Sequence, residues 1–157
     1  PWGRLFGSSA RGSSADHLEY ASEAGAAAMG EAGCAAVLLP GAFYSLGERQ
    51  KPPIDVFREH DVPLVVATDA NPGSSPIVQP LIAMNQACVL FGLTPAEAIA
   101  GMTRLSSGVL GLEDRGVLEV GRRADLACWS ISEPAELAYW VGGVPAQAVI
   151  SGGRRIR

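Results

Sequence analysis

Two stretches of the sequence, CAAVLLPG at 34–41 and VPLVVATD at 62–69, are apolar almost without a break. A half-buried strand alternates apolar with polar residues, and an amphipathic helix repeats every three to four. Neither period is present here. An unbroken apolar run of this length is the pattern of a strand covered on both faces, as in a parallel sheet. Parallel neighbours cannot be joined by a tight hairpin, so a crossover must run between them. The segment PPIDVFREHD at 52–61 supplies one. Its prolines suit a first helical turn, and Ile54, Phe57 and Arg58 recur at helical spacing.

The same alternation extends in both directions. SSADHLEY at 13–20 reads as the end of a strand. It is followed by ASEAGAAAMGEAG, a helix with Ser22 as N-cap and Gly33 as its stop. AFYSLGERQK reads as a loop. Beyond VPLVVATD, the segment 76–92 reads as a long apolar helix ending at Gly92. The segment 94–111 opens with Thr94, Pro95 and Glu97 in the positions of a capping box. Residues 13–92 therefore predict a βαβαβα order with parallel strands covered by helices. From Gly116 the texture changes. GVLEVGRRADLACWSI at 116–131 and AQAVISGGRRI at 146–156 predict short antiparallel strands around glycine turns.

Composition narrows the function. The chain has 157 residues and a net charge of −4, with 12 basic and 16 acidic side chains. Apart from Arg122-Arg123 and the tail arginines Arg154, Arg155 and Arg157, no basic block stands out, which argues against a phosphate-binding face and predicts no nucleic-acid partner. No apolar run is long enough for a membrane span, and the opening residues lack the apolar centre of a secretory signal. Cys34, Cys88 and Cys128 stand singly, which predicts buried free thiols and a cytoplasmic location. His60, Glu19 and Glu23 read as solvated, and Trp129, Tyr139 and Trp140 as core or interface.

One apolar strand ends on a carboxylate. LVVAT runs into Asp69, and the chain then breaks into Asn71-Pro72-Gly73-Ser74-Ser75-Pro76. In parallel α/β folds, ligands gather at the carboxyl ends of the strands. His17 follows the earlier strand and is expected at the same rim. A carboxylate and an imidazole there suit a metal site or an acid/base pair. The competing role for Asp69 is a helix N-cap, for which the gap to the next helix is long.

Taken together, SADHLEY, AVLLPGAFY, ATDANPGSSP, LTPAEAIAGMT and LEVGRRADLACW resemble the imidazolonepropionases of the amidohydrolase superfamily. The resemblance runs from about Ser14 to the C-terminus. The run T-D-A-N-P-G-S-S-P with D-H-L upstream is the specific part, and V-G-R-R-A-D-L is shared more widely. The resemblance implies hydrolysis of 4-imidazolone-5-propanoate to N-formimidoyl-L-glutamate, a step of histidine degradation. It makes Asp69 the carboxylate ligand of one divalent metal, Zn or Fe, and the acceptor of a proton from the attacking water. His17 becomes the group that polarises, or exchanges protons with, the scissile amide. Asn71 and Gly73 match positions that hold the propanoate end, and Ser74 a position that contacts the ring. PGAFY is expected as a loop beside them.

The sequence also departs from that family. The family's metal is held in addition by a His-x-His pair and a further His, whereas this sequence has only His17 and His60. Catalytic zinc sites take three protein ligands, and an eight-stranded barrel takes about 250 residues. The expectation is therefore a partial TIM-like (β/α) barrel: its last βα units over 13–112, then C-terminal strands of a small β domain over 113–157, after an irregular 1–12. The chain alone is expected to hold no catalytic metal and to be inactive. Self-association or pairing with an N-terminal complement is expected at its unpaired sheet edge. The sequence leaves two alternatives open: another, deaminase-like amidohydrolase, and a non-catalytic α/β assembly module.

Overall fold

The computed structural model describes residues 14–157, so the irregular segment expected at 1–12 lies outside the described residues. Strand β1 (Ser14–Asp16) is followed by α1 (Glu23–Ala32), β2 (Ala35–Leu38), α2 (Pro40–Leu46), α3 (Ile54–Glu59) and β3 (Leu64–Val66). The three strands form a parallel sheet in the order β1-β2-β3. Ala36 pairs with Leu64 and Leu38 with Val66, so the apolar runs lie side by side. Leu64, Val65 and Val66 are all buried. Double-sided burial is the reason this strand shows no alternation.

Helices α4 (Pro80–Phe91), α5 (Pro95–Met102) and α6 (Arg104–Val109) come next. Phe57, Ala83, Ala87 and Ala98 are fully buried against the sheet. Phe43 and Phe91 meet edge to face with centroids 5.0 Å apart, a favoured aromatic geometry. Gly101 lies so close to β3 that a Cβ there would come 2.7 Å from the Leu64 carbonyl oxygen. Only a glycine lets α5 approach that backbone.

The capping box of α5 forms as expected. Glu97 N–H donates to Thr94 Oγ1, and Glu97 Oε2 accepts from the Thr94 N–H at 2.7 Å. The same carboxylate takes two further hydrogen bonds from Arg58, both at 2.9 Å, from Nε and Nη2. This fork ties α3 to α5 across the domain and holds the Glu97 carboxyl at a pKa of about 2, with the Arg58 hydrogen bond as the first cause.

The structure corrects several expectations about elements. AFYSLGERQK is not a loop throughout: α2 occupies Pro40–Leu46, with Pro40 in its first turn and Gly47 closing it in the left-handed region. Burial of Pro40, Gly41, Ala42 and Phe43 drives that turn, a tertiary effect invisible to local propensity. The helix expected from 76 begins at Pro80, because Gln79 is held extended before proline. The helix expected at 94–111 breaks at Thr103, whose φ and ψ are −122° and −95°.

In the C-terminal segment, β4 (Leu126–Cys128), β5 (Ala148–Ser151) and β6 (Arg154–Arg155) form an antiparallel sheet, as expected, with α7 (Glu136–Tyr139) between β4 and β5. Residues 116–125 form no strand. Leu118 and Val120 are exposed, and without a pairing partner the alternating pattern builds no ladder. Asp125 instead accepts from the Gly152 N–H at 2.7 Å and binds Arg123, stapling the segment to the β5–β6 turn.

Individual side chains also differ from expectation. Glu19 is buried rather than solvated. His60 is half-buried and caps the end of α3, and Cys128 is exposed. Among the described residues no helix is long and apolar enough to cross a membrane.

Candidate active site

β1 and β3 run parallel on either side of β2, so their carboxyl ends open on the same rim. His17 is the first residue after β1, and Asp69 follows β3 by way of Ala67 and Thr68. Both turn out of the sheet in the left-handed region, with φ of 54° and 50°. Residues with a Cβ adopt that region sparingly, His and Asp more readily than most. The turn brings His17 Nε2 to 4.0 Å from Asp69 Oδ2. That is beyond hydrogen-bond reach, so the two groups are juxtaposed without being joined. Their side chains are 51% and 33% exposed, open enough to meet a solute.

Asp69 caps no helix. The N-cap of α4 is Gln79, and the intervening loop is organised by Asn71. Its Nδ2 donates to the Asp69 carbonyl at 2.7 Å, to Asp69 Oδ2 at 3.3 Å and to Ser74 Oγ at 3.1 Å. Its Oδ1 accepts from the Gly73 and Ser74 N–H groups at 2.9 and 2.8 Å. One amide therefore serves as the hub on which Asp69, Gly73 and Ser74 turn. Asn, Pro and Gly suit this turn for separate reasons: side-chain mimicry of a backbone turn, a fixed φ, and the absence of a Cβ.

All five residues singled out from the sequence thus gather at one rim: His17, Asp69, Asn71, Gly73 and Ser74. Two further residues at this corner of the fold, Ser75 and Gly41, have no site role in the sequence-based expectation. Ser75 is fully buried, and its Oγ donates to the Thr68 carbonyl at 2.6 Å. The only signals for them were a second serine in the loop and a glycine after LLP.

A carboxylate and an imidazole are both donors that zinc accepts. Among the described residues, however, no group of three or more His, Cys, Asp and Glu side chains gathers in a way that could hold an ion. The described residues do not complete a metal's donor set. A cavity of about 670 Å³ lies elsewhere, between α5, α6 and the segments around Gly116 and Pro134, and neither His17 nor Asp69 lines it.

No family model matches the chain. Among curated proteins it is 59% identical over 140 residues to the imidazolonepropionase of Ruegeria pomeroyi, covering 89% of this chain and 35% of that protein. It is 56% identical over 141 residues to the imidazolonepropionase of Pseudomonas aeruginosa, again covering 89% and 35%. The chain thus spans about a third of the length of these relatives. Among solved structures, an adenosine deaminase from Xanthomonas campestris with bound zinc superposes with a TM-score of 0.80 at 22% identity, over 90% of this chain and 36% of that one. An atrazine chlorohydrolase from Arthrobacter aurescens complexed with zinc gives 0.77 at 22% identity, over 91% and 35%. At such identities the likeness is one of fold alone. Its sequence makes the chain a relative of the imidazolonepropionases, to whose C-terminal portion it corresponds.

Proposed function

We propose that this chain forms the C-terminal part of an imidazolonepropionase that hydrolyses 4-imidazolone-5-propanoate to N-formimidoyl-L-glutamate. In this reading residues 13–112 are the last βα units of a partial TIM-like (β/α) barrel, and 113–157 are strands of a small β domain. The observation that carries the reading is the juxtaposition of His17 and Asp69, 4.0 Å apart, beyond the carboxyl ends of the two strands that flank β2, in a chain 59% identical over 140 residues to an imidazolonepropionase.

The chemistry assigned to the two groups follows from their types. Water attacks the ring carbonyl carbon, and Asp69 takes a proton from that water. The carbon–nitrogen bond of the ring breaks as the leaving nitrogen receives a proton. His17 polarises the carbonyl or exchanges protons with the amide. Asn71 and Gly73 are assigned to the propanoate end and Ser74 to the ring. Because Asn71 Nδ2 and the Gly73 N–H already bond within the loop, they serve the substrate by shaping the rim it meets rather than as free donors. One divalent metal, Zn or Fe, belongs to this reading. Asp69 is the ligand this chain contributes, and donors outside the described residues complete the set. Solved structures of similar fold carry zinc, which supports a divalent metal. The three free thiols support a reducing, cytoplasmic setting.

The test is a chimaera in which this chain replaces the corresponding C-terminal portion of the Ruegeria pomeroyi relative. Loss of the imidazolone's ultraviolet absorption is expected, and Asp69→Asn should abolish it. A folded, metal-loaded chimaera that releases ammonia from aminated rings and leaves the imidazolone intact would overturn the assignment in favour of a deaminase.

A further inference from the structure

Ser75 has no exposed surface, although Pro76 beside it reaches solvent. Burying a hydroxyl is costly unless it is bonded, and this one is. Its Oγ donates to the Thr68 carbonyl at 2.6 Å, and the Ser75 carbonyl accepts from the Asn71 N–H at 2.9 Å. Asp69 stands between the two anchored positions, Thr68 and Asn71.

Gly41 lies against this serine, in the first turn of α2. A Cβ at position 41 would come 2.6 Å from Ser75 Oγ, 3.3 Å from Ile77 Cδ1 and 3.4 Å from the Thr68 carbonyl oxygen. Gly41 lies within a helix, so the position needs space and no unusual dihedral. Helix α2 follows β2, the strand between those that carry His17 and Asp69. Its first turn is therefore the surface against which the Asp69 loop is set.

The geometry points to Ser75 as a positioning residue, latched by Gly41, that holds Asp69 in its left-handed turn toward His17. The inference rests on the imidazolonepropionase reading for its substrate, though not for its geometry. With the hydroxyl removed, the Thr68 carbonyl is unpaired and the 68–69 peptide is free to rotate. The Asp69 carboxylate then leaves the position facing His17 without any change in the chemical groups present.

The test uses the same chimaera carrying Ser75→Ala, Gly41→Ala or both. Turnover of the imidazolone, zinc retained after dialysis and melting temperature are measured on each. Ser75→Ala is expected to lower kcat at least tenfold with KM within threefold, and to at least halve the retained zinc. Gly41→Ala is expected to act in the same direction. The double variant should be no worse than Ser75→Ala alone, because the added Cβ then meets no hydroxyl. Ser75→Cys, close in size with a weaker donor, should fall between serine and alanine, and it carries the test should Ser75→Ala not fold. A lowered melting temperature with unchanged kcat and zinc content would reduce Ser75 to a structural residue and overturn the inference. Fully additive losses in the double variant would overturn the Gly41 contact. A parent chimaera that keeps zinc but leaves the imidazolone intact would refute the substrate reading alone, and zinc retention would still test the latch.

Discussion

His17 Nε2 and Asp69 Oδ2 lie 4.0 Å apart although the residues are far apart in sequence, and each reaches that position through a left-handed turn at the end of a parallel strand. The strands contribute rigidity and the turns contribute aim. In the chimaera, His17→Ala is expected to lower kcat by about 10²- to 10⁴-fold, the range for loss of a general acid–base group. Circular dichroism and the melting temperature should be almost unchanged, because an exposed imidazole supports little packing. Wild-type turnover by the His17→Ala protein would remove His17 from the site.

Asn71 is the hub of the loop, and two substitutions separate its roles. Asn71→Ala loses every side-chain bond to Asp69, Gly73 and Ser74 and is expected to cost about 1–3 kcal/mol of stability. Asn71→Asp keeps the acceptor for the Gly73 and Ser74 N–H groups but loses the donor to Asp69. It also places a second carboxylate beside Asp69, where like charges repel. The aspartate variant is therefore expected to be the more stable of the two and the poorer catalyst. Urea melts and kcat/KM on both proteins check the order, and an aspartate variant that is the better catalyst would contradict the hub geometry.

The Arg58–Glu97 fork makes stability depend on pH in a defined direction. The folded Glu97 pKa of about 2 lies below its ordinary 4.5. The fork's contribution is therefore fully present above about pH 4.5 and is lost as pH falls toward 2. Both side chains are about a third exposed, so solvent screening cuts the value to roughly 1–2 kcal/mol. Urea midpoints between pH 6 and 2 should fall less steeply for Glu97→Gln than for the parent. Parallel curves would show that the fork contributes nothing.

Gly101→Ala is expected to destabilise the fold by about 1–3 kcal/mol, as overpacking does. The new Cβ would come 2.7 Å from a backbone carbonyl of β3, and backbone cannot rotate away as a side chain can. Calorimetry of the variant reads this directly. A melting temperature at or above the parent's would mean that α5 moves off the sheet at no cost.

Much of this molecule was legible in short-range patterns. The two apolar runs announced a parallel sheet because double-sided burial removes alternation. Ser22, Gly33, Thr94, Glu97 and Gly92 marked helix ends because caps depend on a few neighbouring residues. Asp69 stood out as a carboxylate at the end of a buried strand. Helix α2 did not stand out, since its first turn forms by burying Pro40–Phe43 against distant elements. Residues 116–125 looked like a strand, but a strand exists only when something pairs with it.

Short-range patterns in the chain mark which groups can do chemistry and where the backbone has to turn. That His17 faces Asp69, that Asn71 is consumed in holding its own loop, and that Ser75 lies against Gly41 emerge only from the assembled fold. The difference is one of range. Capping and apolar periodicity act within about a turn of the chain, whereas the contacts that aim a carboxylate join residues brought together only when the sheet assembles.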